Sequence, residues 1–397
     1  MNVLWLSPWF PYPLANGSKI RIYHLIRTLA RQHPISLISF VRSGEQVQPD
    51  GLDGICVSLD TVPWRPFQPK SLKSLFGFFS PTPRSVINTH SATMDRAIAQ
   101  HICNGNPDLI IASQLATAPY LAHYPNFLKI FEEVELGTLW DARSNARTRQ
   151  ERWRRTMTLN KTRRYLGNLL SQYQAATVVS KEEKALLEDL NIGSQKLILL
   201  PNGVDTETLQ PGLASPQPGR LIYPGSLTYS ANYDAVSFFL AEIFPRIYSE
   251  MPDIEFHITG TTQNVDITGL QLTPHVTLTG YVSDIYREIA KAWICVVPLR
   301  QGGGSRLKIL EAMALGTPVV STSKGAQGLE VNPGKDILIA DDPIQFATQT
   351  LRLLNDASLR ESIATHARKL VEQNYNWDKI GEKFCELANH LLTPGSR

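Results

Sequence analysis

At 397 residues, the chain is long for one hydrophobic core and long enough for two domains. Its apolar fraction of 43% and charged fraction of 19% are ordinary for a globular enzyme. The net charge of +3 is too small to indicate a nucleic-acid-binding protein, so any basic function has to be local.

The N-terminal stretch MNVLWLSPWFPYP lacks a basic n-region and its prolines interrupt the apolar run, which favours a first strand over a signal peptide. Nowhere do about 18 uncharged apolar residues run together, so we expect no membrane-spanning helix. The scattered cysteines indicate neither a zinc site nor a disulfide framework and favour a reducing cytosol; they are Cys56, Cys103, Cys295 and Cys385. We therefore expect a cytoplasmic protein.

Residues 1–205 alternate short apolar, β-branched stretches with helical stretches. The predicted strands are NVLWLS, ISLISFV, GICVSL, PDLIIAS, LKIFEEV, AATVVS and KLILLP. Such runs are typical of strands that are covered on both faces, and the helices between them predict right-handed crossovers in a parallel sheet. The sequence therefore predicts a first α/β domain.

Residues 206–219 (TETLQPGLASPQPG) are rich in Pro, Gly and Ser and predict a linker. The pattern then restarts over residues 220–375, with a helix predicted from about Ala231 to Glu250 and another near 283–291. The predicted strands are RLIYPGS, IEFHITG, VTLTGYV, WICVVPL, PVVST and DILIA. The last stretch, 376–397, contains an amphipathic helix that we expect to pack back on the first domain. The predicted fold class is α/β, with two doubly wound domains facing across a cleft.

The loop RQGGGS follows the buried-type strand ICVVPL and leads into a helix. Ligands of open α/β sheets lie beyond the carboxyl ends of the strands, and glycines and helix N-termini suit a closely held anion. Arg306 and Lys308 lie in the first turn, against the helix dipole, which makes sense if a diphosphate binds there. Glu311 follows within about one and a half turns, where it could accept hydrogen bonds from ribose hydroxyls. The stretch matches neither the P-loop nor GxGxxG, and a flexible solvated loop is the alternative.

The segment GGGSRLKILEAMALGTPVVSTSKGAQGL resembles the donor-binding segment of GT-B fold glycosyltransferases of the large retaining family 4, in a branch active in exopolysaccharide synthesis. Other stretches resemble family segments in the same order. They are PYPLANGSKIRIYHLIRTLA, AATVVSKEEKALL, LLPNGVDTETLQP and YPGSLTYSANYDAVSFFLAEIFPRI. The resemblance covers most of the chain and implies a GT-B fold with two Rossmann-like domains.

The resemblance also implies that the C-terminal domain holds a UDP- or GDP-sugar and that the N-terminal domain mainly holds a glycan or lipid-linked glycan acceptor. Arg306 and Lys308 would neutralise the diphosphate, and Glu311 would contact the ribose. Gly17 and Ser18 would approach the diphosphate from the first domain. The other implied donor-binding residues are Gly225, Ser226, Gly280, Tyr281, Val282, Gly302, Gly303, Gly304, Ser305 and Leu310.

Three departures from the family pattern bear on the site. Gly303 stands where the first glutamate of the family's E-x7-E pair is usual. The stretch GSLTYSANYD lacks the usual Arg and Lys, so the positive charge rests on Arg306 and Lys308. In FEEVELGTLW, Glu132 stands where a histidine is usual, whereas Glu135 matches.

Displacing a nucleoside diphosphate requires charge stabilisation of the leaving oxygens more than it requires a strong base. The resemblance implies retention by a front-face path and no metal or other cofactor. Besides Arg306 and Lys308, the candidate catalytic residues are three acids predicted to lie beyond the strand LKIF and to face the cleft, with a solvated loop as the alternative. These acids are Glu132, Glu133 and Glu135.

Residues 143–165 carry nine Arg or Lys against the single acid Glu151. This concentration predicts docking on an anionic membrane surface, into which Trp153 and Met157 could dip, with a solvated helix face as the alternative. Nucleic-acid binding is less favoured because stacking aromatics are not interleaved with the arginines. Two other functions stay open: a non-catalytic nucleotide-sugar-binding scaffold and a GT-B sugar-nucleotide epimerase.

Overall fold

A computed structural model describes residues 1–45, 47–146, 148–188, 190, 196–302 and 306–393. The chain divides into two compact units. The first comprises Met1–Pro201 and the C-terminal stretch from Asp378 onwards, and the second comprises Asn202–Trp377.

Within the described ranges, the first unit is built on a seven-stranded parallel sheet of strand order β3-β2-β1-β4-β5-β6-β7. Its strands are β1 (Val3–Ser7), β2 (Ile35–Val41), β3 (Ser58–Pro63), β4 (Leu109–Ser113), β5 (Leu128–Glu132), β6 (Ala175–Val178) and β7 (Leu197–Leu199). The order changes direction between β1 and β4, which is where doubly wound sheets bind ligands.

Helices cover this sheet. They are α1 (Gly17–Ala30), α2 (Leu72–Phe76), α3 (Arg84–Thr89), α4 (Ala92–Gly105), α5 (Gln114–Thr117), α6 (Gly137–Ser144), α7 (Arg149–Leu170) and α8 (Lys181–Glu188). The first begins where the Asn16 side chain accepts a hydrogen bond from the Lys19 amide at 3.0 Å. Its buried side chains Ile22, Ile26 and Leu29 recur at helical spacing, so one face packs on the core. Across the described ranges, none of the helices has both the length and the apolar composition that a bilayer crossing requires.

The second unit contains a six-stranded parallel sheet of order β10-β9-β8-β11-β12-β13 among its described residues. Its strands are β8 (Arg220–Pro224), β9 (Glu255–Thr259), β10 (Val276–Gly280), β11 (Ile294–Val297), β12 (Val319–Ser321) and β13 (Leu338–Ile339). Its helices are α9 (Ser230–Phe238), α10 (Phe244–Glu250), α11 (Ile285–Ala290), α12 (Leu307–Ala314), α13 (Pro343–Asn355) and α14 (Ala357–Asn374). The direction of the strand order changes between β8 and β11, so the loops after these two strands lie side by side. The predicted α/β class, with two doubly wound domains, is confirmed.

Two element boundaries differ from the prediction. The helix predicted from Ala231 to Glu250 is interrupted by a π-helical turn at Phe239–Ile243, because Pro245 has no N–H to continue an α-helical ladder. The third strand begins at Ser58, four residues after the start of the predicted stretch GICVSL, and continues to Pro63, since Gly54 adopts a left-handed φ of +71° and turns the chain first.

The C-terminal helix, α15 (Trp377–Leu392), coincides with the stretch WDKIGEKFCELANHLL. From Asp378 onwards it belongs to the first unit, where the Phe384 ring lies 5.7 Å from the Trp5 ring between centroids. A Cβ atom at Gly381 would overlap the Thr28 side chain, so this glycine permits α15 to approach α1 closely.

The division between the units falls at Pro201–Asn202, earlier than the predicted linker. Residues 206–219 lie inside the second unit, where Leu209 is buried and the Arg368 guanidinium donates to the Thr206 carbonyl at 2.8 Å. These contacts hold part of the Pro- and Gly-rich stretch against the second unit, which its composition did not indicate.

Candidate functional site

In the second unit, Arg306 precedes the first turn of α12 and is 8% exposed. Its guanidinium donates to the Gly302 carbonyl at 3.1 Å and to the Gln327 carbonyl at 3.3 Å. Gly302 has a φ of +95°, and a Cβ there would lie 2.8 Å from that of Ala231, so a glycine is required. The predicted donor-binding residues Gly303, Gly304 and Ser305 lie outside the described residues.

Lys308 lies beneath the loop that follows β8. Its ammonium donates to the Tyr223 hydroxyl at 2.9 Å and to the Asn232 side-chain oxygen at 3.1 Å. It also lies 4.1 Å from the centroid of the Tyr223 ring. Burial lowers the pKa of Lys308 to about 7. A bound anion would therefore stabilise the charged form of this amine.

The loop after β8 closes over this lysine. A Cβ added at Gly225 would lie 2.9 Å from the Lys308 Nζ, and the Asn232 amide donates to the Ser226 carbonyl at 2.8 Å. The structure thus brings together Gly225, Ser226 and Lys308, which were predicted as donor-binding residues from separate stretches of the sequence. Tyr223 and Asn232 complete the cluster and were missed, although Tyr223 lies in the strand that leads into this loop.

Glu311 lies one turn beyond Lys308 on α12. Burial raises the pKa of its carboxyl group to about 7, and the neighbouring Lys308 opposes this shift. Its carboxylate accepts no hydrogen bond from the described residues. A partly buried acceptor that receives no hydrogen bond from the described residues suits ligand hydroxyls.

The remaining predicted donor-binding residues of this unit differ in accessibility. Gly280 ends β10 with a φ of +68°, and the Tyr281 side chain beyond it is 83% exposed and could stack on a planar base, while Val282 is partly buried. Leu310 is fully buried in the core, so its side chain is not offered to a ligand, in contrast to the prediction.

A second cluster lies in the first unit, at the carboxyl ends of β4 and β5. Glu132 is the last residue of β5 and not part of the following loop, and its side chain is fully buried. It accepts a hydrogen bond from the Arg21 guanidinium at 2.5 Å, and Arg21 also donates to the carbonyls of Leu200 and Pro201. The prediction that Glu132 faces a cleft is therefore wrong for this structure, because Glu132 ends β5 with its side chain inside the first unit.

Glu133, by contrast, remains partly accessible. The Gln114 amide donates to its carboxylate at 2.6 Å and to the Ser18 hydroxyl at 3.0 Å. Gln114 and Glu133 have φ values of +61° and +57°, a left-handed conformation that non-glycine residues rarely adopt and that occurs at functional sites. Burial, and next the charge of Glu132, raise the pKa of Glu133 to about 7.

Ser18 therefore contacts the acidic cluster, and Gly17 precedes it as the first residue of α1. Glu135 is exposed and accepts a hydrogen bond from the Thr138 hydroxyl, and its charge contributes least to the raised pKa of Glu133. Sequence reasoning missed Gln114 and Arg21, although Gln114 directly follows the buried stretch PDLIIAS, at a position where ligands of parallel sheets bind. No group of three or more His, Cys, Asp or Glu side chains suited to a metal ion occurs in the part of the chain that the structure describes.

Two family models match the chain. The model described as Glycosyltransferase Family 4 matches residues 15–208, and the model described as Glycosyl transferases group 1 matches residues 218–356. Among curated proteins, the capsular polysaccharide biosynthesis glycosyltransferase CapM of Staphylococcus aureus is 29% identical over 161 residues, which is 38% of this chain and 42% of CapM. Four such relatives align over 42 to 44% of their own length, so the chain matches less than half of each.

Solved structures resemble almost the whole chain. Sucrose-phosphate synthase of Thermosynechococcus elongatus has a TM-score of 0.70 at 18% identity, covering 98% of this chain and 99% of that one. HepE of Anabaena, in complex with UDP and glucose, has a TM-score of 0.66 at 15% identity, covering 98% and 100%. At these identities the likeness shows the fold alone.

Proposed function

Because the chain belongs to the GT-B glycosyltransferases of the family-4 type, we propose that it transfers a sugar from a UDP- or GDP-sugar to a glycan or lipid-linked glycan acceptor. The observation that carries this proposal is the partly buried Lys308 ammonium, held by Tyr223 and Asn232 near the carboxylate of Glu311. A diphosphate would meet the cation, and ribose hydroxyls would meet the carboxylate.

In the reaction, the bond between the anomeric carbon and the diphosphate oxygen breaks as an acceptor hydroxyl attacks the same face of the sugar, with retention. The departing phosphate oxygen takes the acceptor proton. Arg306 and Lys308 stabilise the charge that builds up on the diphosphate, so the proposal assigns this task to side chains and requires no metal ion. Glu133, with a pKa near the physiological range, orients the acceptor hydroxyl through a hydrogen bond.

Two comparisons suggest a substrate and a pathway to test first. HepE is described in complex with UDP and glucose, which favours UDP as the first nucleotide to try. CapM is described as a capsular polysaccharide biosynthesis enzyme, which favours an exopolysaccharide-type pathway.

Calorimetric titration with UDP, GDP, ADP and CDP tests the donor site. We expect one of these nucleotides to bind. Lys308→Ala should weaken that binding at least about tenfold, because the cation that faces the diphosphate is lost. Above pH 7 the free lysine loses its proton, so binding there should take up a proton in the wild type and not in the variant.

Lys335→Ala removes an exposed lysine of the same unit and is the matched control. If no nucleotide binds to the folded protein, the donor-site assignment is wrong. Binding without hydrolysis or transfer of any nucleotide-sugar would favour the scaffold function, and an epimerised sugar nucleotide as product would favour the epimerase.

A further inference from the structure

The surface of the first unit carries an exposed apolar ridge between β3 and α4. Its side chains belong to residues 67–79, and the most exposed of them, Phe79, is 92% accessible. The exposed members are Phe67, Leu72, Leu75, Phe76, Phe78 and Phe79. Large apolar side chains rarely lie so close together on a protein surface unless they meet a partner.

Polar contacts hold this apolar ridge in place. The Arg84 guanidinium donates to the Ser74 carbonyl at 2.7 Å and lies 3.8 Å from the centroid of the Phe78 ring. The Ser74 hydroxyl is buried and donates to the Gln68 carbonyl at 2.7 Å. The exposure of the phenylalanines is therefore part of an ordered arrangement of α2 and α3.

The apolar ridge is continuous with helix α7. The Lys161 ammonium donates to the Gly77 carbonyl of the ridge at 2.6 Å. Trp153, Met157 and Lys161 follow one another at intervals of four residues and so share a face of the helix. Trp153 and Met157 are 64% and 53% exposed. The stripe of apolar side chains on α7 thus leads directly to the ridge.

The charge around this surface is predominantly positive. Residues 61–94 contain no Asp or Glu, and their cations are Arg65, Lys70, Lys73 and Arg84. In α7 the only acid is Glu151, while Arg152, Arg154 and Arg164 are exposed. Aromatic and aliphatic side chains bordered by cations match the interface of an anionic bilayer, in which the rings enter the acyl boundary and the cations meet phosphates.

We propose that the apolar ridge and the exposed face of α7 dock the protein on an anionic membrane surface. Docking does not depend on the sugar-transfer proposal, although a lipid-linked acceptor would give it a purpose. The sequence-based hypothesis was confined to residues 143–165. The ridge adds the apolar half of the surface, with Phe76 and Phe79 as its most protruding rings.

Flotation of the full chain with vesicles tests this proposal. We expect binding to phosphatidylcholine vesicles that contain about 30% phosphatidylglycerol and much weaker binding to phosphatidylcholine alone. Phe76→Ser/Phe79→Ser should lower the apparent affinity at least about tenfold, and Lys70→Glu/Lys73→Glu should do so most strongly at low salt. Ile344→Ser/Leu272→Ser removes two exposed apolar side chains of the second unit and should bind like the wild type.

Retained vesicle binding by Phe76→Ser/Phe79→Ser, or no binding by the wild type, would overturn the proposal. If the wild type forms a dimer in the absence of lipid and the Phe76→Ser/Phe79→Ser variant is a monomer, the ridge is an interface between two copies of the chain. That result would also overturn the membrane-docking proposal. Hydrolysis of the nucleotide-sugar should be equal in wild type and variant. A variant that no longer binds vesicles but still hydrolyses the nucleotide-sugar therefore tests the membrane-docking proposal alone. A wild-type protein that binds vesicles but hydrolyses no nucleotide-sugar would argue only against the sugar-transfer proposal.

Discussion

At the scale of single residues, left-handed backbone at the ends of two adjacent strands brings polar side chains together. Gln114 follows β4 and Glu133 follows β5, and the amide of the first donates to the carboxylate of the second at 2.6 Å. Such conformations cost free energy and persist only where surrounding structure imposes them. Their pairing beside Ser18 therefore favours a functional role for Gln114 as a positioning residue.

Gln114→Ala should lower kcat about tenfold and leave nucleotide affinity unchanged, because Glu133 loses its orientation. The hydrogen bond from Gln114 lowers the pKa of Glu133, so its removal should raise that pKa further and move the acid limb of the kcat profile to higher pH. The measurement is a pH–rate profile, with Thr138→Ala as control because this hydroxyl contacts Glu135 instead. A lower rate with an unshifted limb would contradict the role given to Gln114.

At the scale of elements, a buried ion pair joins α1 to β5. Arg21 and Glu132 are both fully buried, and Arg21 also reaches the carbonyls of Leu200 and Pro201. The pair therefore fixes the helix whose first turn carries Ser18. We therefore expect this pair to act through the stability and position of α1.

Glu132→Gln should destabilise the protein by about 3 kcal/mol, because the buried guanidinium loses its counter-charge. Chemical denaturation measures this change. Glu135→Gln is the matched control and should stay within about 0.5 kcal/mol of the wild type, since Glu135 is exposed. An inactive Glu132→Gln protein of unchanged stability would instead indicate that Glu132 takes part directly in catalysis.

At the scale of the whole molecule, the chain leaves the first unit after Pro201 and returns to it at Asp378. Helix α15 then packs on α1, where Gly381 lies against Thr28 and Phe384 against Trp5. The stability of the first unit therefore depends on a helix that is distant in sequence.

Gly381→Val should destabilise the first unit by about 2 kcal/mol, because its side chain would overlap Thr28. Thermal unfolding monitored by tryptophan fluorescence reports mainly on this unit, because the second unit contributes only Trp293 and Trp377 to the seven tryptophans of the chain. Glu382→Val changes the neighbouring, exposed position of the same helix and should have a much smaller effect. Equal effects of the two substitutions would argue against close packing at Gly381.

Much of the fold was predictable, because short β-branched runs separated by helical stretches permit few arrangements other than parallel sheets. The parallel pairing of the strands followed from that pattern, whereas their order in each sheet came only from the structure, and the C-terminal helix matched its predicted stretch from Trp377 to Leu392. The interrupted helix near Pro245 and the late start of β3 depended on local backbone geometry, which periodicity does not report.

The sequence by itself determined the class of fold and the residue types of the proposed diphosphate-binding site, since Arg306, Lys308 and Glu311 are close in the chain. Only the tertiary structure decided which of the acids is buried and which is held by Gln114. Contacts between residues distant in sequence, such as Arg21 with Glu132 and Lys308 with Tyr223, set these environments. The burial of a side chain and its hydrogen-bond and charge partners arise from tertiary packing, and no local sequence pattern encodes them.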